Sequence, residues 1–244
     1  MLAKQLFSIA ANSGNATRGD AQVQAIRRWV VLTAHEWTLQ WRHKDSGLAV
    51  LAVALLEIAA FDLSMNRIPR LLAQTGPGIL WMGFLFSGTL TVTRAYAHET
   101  AEDVMTGLYL AALGQTTQLV AKLTVNFMWL LGSVWLTTWL WVRLFMAPTR
   151  FSWAVMDLIL SLGVLGLVSV GLLMARVGLL LEGADPFLTV WLMVLDLPVT
   201  VAAMGATWAL MHGGDVWPWV RGLAVFDLIF LTSTLIFSDY LREV

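Results

Sequence analysis

The sequence predicts an all-α polytopic membrane protein with six spans and an N-terminal interfacial amphipathic helix. Two observations carry that prediction. Hydrophobic residues make up 58% of the chain and charged residues only 13%, with 13 tryptophans, which is not the make-up of an ordinary soluble domain. The apolar residues also come in runs of about 20, and at about 1.5 Å per residue a helix of that length crosses a bilayer core of roughly 30 Å. No long linker or repeat divides these runs, so the expected organisation is a mobile tail over 1–21 and one membrane domain over 22–244.

The elements follow in order. The tail is polar and rich in turn formers from Asn12 to Asp20, and no apolar core follows Lys4, so it does not resemble a cleaved signal peptide. Over 22–45, Ile26, Trp29, Val30, Trp37 and Trp41 alternate with Arg27, Arg28, Arg42 and Lys44. That pattern fits a helix lying in the interface plane, apolar on one side and basic on the other. His35 and His43 stand among these charges and read as solvated side chains.

Spans are expected near Gly47–Ser64, Gly78–Tyr96, Gln118–Leu144, Trp153–Ala175, Phe187–Met211 and Val220–Ser238. Between them stand Gly76-Pro77-Gly78, Ala147-Pro148-Thr149, Gly183-Ala184-Asp185-Pro186, and Gly213-Gly214 with Pro218, all turn or cap chemistry. Asp185 before Pro186 predicts a helix start, with a carboxylate on orphan amides and proline in the first turn. Lys4, Arg18, Arg27, Arg28, Arg42, Lys44, Arg94, Lys122, Arg176 and Arg242 fall on one side, against Arg67, Arg70, Arg143, Arg150 and Arg221 on the other. The excess predicts cytoplasmic N- and C-termini.

The connection after the second span carries the most distinctive pattern. Glu99, Glu102 and Asp103 precede Met105, Leu108 and Tyr109, which recur at helical spacing. Acidic residues favour the first turn of a helix. A short helix held between two spans is suited to passing force to a soluble partner; the plain alternative is a helix lying on the headgroups. Within the spans, Glu57, Asp62, Asp196 and Asp227 are ionisable groups at membrane depth, where charge is costly and marks either function or pairing between helices. Asp196 stands two residues before Pro198, whose missing amide loosens the helix. His212 ends the fifth span beside Met211, and an interfacial histidine is its plain reading.

Several classes of function are excluded. There is no cysteine, hence no disulfide framework, thiolate zinc site or haem-attachment motif. A net charge of -1 with no dense basic patch argues against nucleic acid. No phosphate loop, serine-hydrolase elbow or HExxH motif is present, so the chain is expected to be a non-catalytic membrane subunit.

Pro77, Gly78, Trp81, Arg94, Gly107, Leu108, Leu110, Lys122 and Asn126 fall at spacings that resemble the haem exporter protein B family of cytochrome c maturation (CcmB). The C-terminal runs Phe226 to Leu231 and Phe237 to Leu241 are similar to the same family, and His35 to Asp45 more weakly so. The resemblance implies a six-span permease of ABC-2 exporter type in a bacterial inner membrane. Its implied partners are two copies of an ABC ATPase, a second permease copy, a haem-handling membrane subunit, a small membrane subunit and a periplasmic haem chaperone, besides membrane lipid. It also implies that Glu99 to Tyr109 form the ATPase-coupling loop, and that haem is handled or transported with no cofactor bound stably. It makes His212, on the side where haem would pass, a candidate haem-proximal ligand, and it assigns Asp196 no role. Two other readings stay open: an ABC-2 permease for another cargo such as a lipid or polysaccharide, and a proton-coupled secondary carrier using Asp196 and Asp227.

Overall fold

The computed structural model describes residues 29–34, 36–38, 40–41, 45–64, 74–89, 115–145, 152–180 and 185–240. All are helical except Ser152 and the turn at 213–216, and no strand occurs among them. The helices are α1 (Asp45–Ser64), α2 (residues 74–89), α3 (Gln115–Phe145), α4 (Trp153–Leu180), α5 (Asp185–His212) and α6 (Trp217–Tyr240). The start of α4 at Trp153 is as predicted, and the starts of α5 and α6 lie two and three residues before the predicted ones, because local cap chemistry sets them. α5 opens with Asp185-Pro186 in its first turn. Gly213 at φ +71° ends α5, and Gly214 N–H donates to the Ala209 carbonyl at 2.8 Å, the six-to-one bond of a left-handed C-cap. Asp215 Oδ1 then accepts from Trp217 N–H at 3.1 Å and starts α6. A four-residue turn therefore forces α5 and α6 into an antiparallel pair.

Four helices are long and apolar enough to cross a membrane, over Leu119–Arg143, Trp153–Met174, Thr189–His212 and Trp217–Phe237. α1 holds a shorter apolar stretch, Leu51–Phe61, and 78–89 of the second expected span are described. Four spans, where six are expected from the sequence, thus meet the length and hydropathy requirement among the described residues.

α4 is the hub. It packs against α3, α5 and α6, while α1 lies on α3 and α3 also touches α6. In hydrocarbon, apolar side chains gain little by leaving lipid, so close backbone approach and interhelical hydrogen bonds must hold the bundle. Glycine supplies the close approach. The Trp81 ring of α2 lies where a Cβ on Gly163 of α4 would stand, and Trp141 of α3 occupies the same place at Gly76 of α2. Trp219 of α6 covers Gly205 of α5 in the same way. Trp81 and Trp141 are buried with Phe84, Met156 and Leu160 in the main core. Buried hydroxyls are satisfied within their own helices: Thr89, Thr138 and Thr207 each donate to the carbonyl four residues back at 2.8 Å.

The N-terminal residues described are helical and pack on α3. Leu32 is buried against Ala121, and Trp37 and Trp41 meet the Trp129 ring edge-on at 6.2 and 5.7 Å between centroids. Tryptophan thus joins this stretch to the bundle.

Candidate functional site

Asp196 and Asp227 are the most buried charged side chains described, at 1% and 3% exposure. They come from α5 and α6, both of which pack on α4. Asp227 Oδ1 approaches α4 at Gly166, 2.9 Å from where a Cβ would be, and Val199 of α5 fills the rest of that notch. Neither Asp227 oxygen, nor Asp196 Oδ1, has a hydrogen-bond partner among the described residues. The hydroxyls spaced along these helices are turned to the main chain. Ser169 donates to the Gly166 carbonyl at 2.9 Å, Thr200 to that of Asp196 at 2.8 Å, and Thr234 to those of Phe230 and, across to α4, Ser169. By helical rise, Asp227 stands about 15 Å and Asp196 about 24 Å from the α5–α6 turn, at membrane depth. Buried polar atoms without partners are costly, and the cost must be offset by the packing around them.

Glu57 is half-buried on α1, and its carboxylate rests where a side chain on Gly83 of α2 would be. Asp62 lies in the last turn of α1. Asp157 is exposed and accepts from Trp135 Nε1 at 3.2 Å, joining α3 to α4. The three predicted intramembrane groups with described side chains therefore do not converge on one site: Glu57 belongs to the α1–α2 contact, Asp196 and Asp227 to the helices around α4.

His212 is exposed at the end of α5, its ring stacked on Trp208 at 4.4 Å and 22°. Its Nδ1 lies 2.8 Å from the Trp208 carbonyl, which can only accept, so the bond requires the Nδ1–H tautomer. That leaves Nε2 as the basic nitrogen. No group of three or more metal-ligating side chains occurs among the described residues.

Next to this corner is a groove of about 800 Å³, which hydropathy gave no means of finding. Its walls include Phe61 of α1, Pro77 and Met82 of α2, Val201 and Met204 of α5, and Trp219 of α6. Gln74, Thr75 and Asp215 line it as well. The predicted coupling residues Glu99, Glu102, Asp103, Met105, Leu108 and Tyr109 lie outside the described residues.

A family model described as CcmB protein matches residues 27–239. The chain belongs to the CcmB family. This is the family that the residues around Pro77, Trp81 and Lys122 resemble. Among curated CcmB relatives, the chain is similar to heme exporter protein B of Escherichia coli (strain K12), 29% identical over 93 residues. That stretch covers 38% of this chain and 42% of the relative. Heme exporter protein B of Shigella flexneri matches with the same identity and coverage. The match to these relatives thus spans less than half of their length. Membership in the CcmB family and the apolar helices together make the chain a multi-pass membrane protein.

Proposed function

We propose that this chain is the permease subunit of an ABC transporter that handles haem in cytochrome c biogenesis. The family match over 27–239 carries the proposal, and the name of the relatives, heme exporter protein B, supplies the cargo. The chain brings no ATP-binding motif, so energy enters through a separate ATPase. Two ATPase copies press on the segment from Glu99 to Tyr109 beneath a pair of six-span permeases. The pair rearranges and either passes haem or releases a loaded periplasmic chaperone, with a haem-handling subunit and a small membrane subunit alongside. The membrane is the bacterial inner membrane, with both termini cytoplasmic. Haem is a handled ligand, not a resident cofactor, and His212, exposed at the end of α5, is the candidate residue to meet it.

The test is affinity purification of the tagged chain in mild detergent, with identification of partners and an absorption spectrum. Recovery of an ABC ATPase with haem-handling proteins is the expected result. A colourless chain recovered alone overturns it and favours the second reading, a proton-coupled carrier. That reading is supported by the unpartnered Asp227 carboxylate at membrane depth.

A further inference from the structure

We propose that the groove between the end of α1, the start of α2 and the α5–α6 hairpin holds one zwitterionic phospholipid. One of its acyl chains would lie along α5 and its headgroup beside Asp215.

Three observations lead there. The groove is graded in polarity along its length. Leu197, Thr200, Val201 and Met204 follow one another along α5 as lining residues, with the Thr200 hydroxyl turned to the Asp196 carbonyl, while Gln74 and Thr75 come from the start of α2 and Asp215 from the α5–α6 turn. Leu197 stands 15 residues before the end of α5, so the groove runs about 22 Å down the helix, from the turn into the bilayer interior. Trp208, Trp217 and Trp219 gather at the turn, and tryptophan at helix ends marks the headgroup level. The polar end of the groove therefore lies where a headgroup sits and the apolar end where a tail sits.

The groove also faces outward. Met82, Leu197, Val201 and Trp208 are all exposed although they belong to apolar helices, so what covers them is not the described part of this chain. At about 800 Å³ the space is larger than a few ordered waters need, and its lining is too apolar to hold them. Finally, charge selects the occupant. Among the described residues, Asp215 is the one charged side chain in the lining, and its bond from Trp217 N–H fixes the carboxylate at the mouth. A headgroup bearing an ammonium is attracted there. An anionic headgroup, or a cargo carrying carboxylates, meets like charge.

The proposal is independent of the permease reading. Its test uses two substitutions on the same face of α5, seven residues apart. Val201 lines the groove and Val194 does not, and both are about half exposed. Wild type, Val201→Trp and Val194→Trp are reconstituted in nanodiscs of mixed phosphatidylethanolamine and phosphatidylglycerol. Each is then extracted and analysed by native mass spectrometry, with helical content and a single elution peak as evidence of folding. The expected result is one phosphatidylethanolamine retained per chain in wild type and Val194→Trp and lost in Val201→Trp. Retention by Val201→Trp, or equal retention of phosphatidylglycerol, overturns the proposal. Because the chain has no cysteine, Val201→Cys gives a single thiol. An efficient cross-link between two copies there would make the groove an interface instead. A tetrapyrrole absorption band lost in Val201→Trp would make it a cargo site, and either outcome overturns the lipid.

Discussion

Trp81 Nε1 donates to Thr207 Oγ1 at 2.9 Å, across the bundle from α2 to α5, while the same ring covers Gly163 of α4. One fully buried side chain thus ties three helices together. Interhelical hydrogen bonds in membranes contribute about 0.6 kcal/mol on average, whereas overfilling a packed site costs roughly 1–3 kcal/mol. Gly163→Val should therefore destabilise the detergent-solubilised protein more than Thr207→Val. Thermal unfolding followed by size exclusion measures both, and equal stabilities would remove Trp81 from the centre of the packing.

The Gly166 notch predicts a second steric effect. A methyl group there would press on Val199 and on the Asp227 carboxylate, so even Gly166→Ala should lower the unfolding temperature. Gly132, which has open space around its Cβ position, is the control, and Gly132→Ala should be neutral or slightly stabilising. A reversal of that order in the same assay would show that α4 does not approach its neighbours as described.

Asp227 has both carboxylate oxygens without a partner among the described residues. Leucine has nearly the same branched shape, so Asp227→Leu removes the desolvation cost and should raise stability by about 1–3 kcal/mol. A gain of stability with loss of transport is the mark of a group kept for function. A clear loss of stability would mean that the carboxylate has a structural partner. Asp157→Asn, at an exposed site, should change stability by no more than about 0.5 kcal/mol.

Leu108 lies on the apolar face expected for the coupling segment. Leu108→Asp should leave the spans folded but abolish the response of the partner ATPase to the permease, measured as ATP turnover in the reconstituted complex. Full coupling in that variant would place the contact elsewhere on the chain.

What the sequence determined by itself is local. Apolar length marked the helices, and Gly213-Gly214 and Asp185-Pro186 marked their ends, because caps and turns are made by residues adjacent in the chain. The family was also legible, in spaced residues such as Pro77, Trp81 and Lys122. Which face of each helix turns inward was not. In a soluble helix a polar side marks the exterior, but α4 to α6 are apolar nearly all round, so periodicity cannot separate lipid-facing from buried positions. Only the tertiary structure paired Trp81 with Gly163, Trp141 with Gly76 and Trp219 with Gly205. It alone turned Asp196 and Asp227 inward, set Glu57 against Gly83, and left a groove beside Asp215. The deciding physics is close packing, which depends on where a side chain is missing as much as on where one is present.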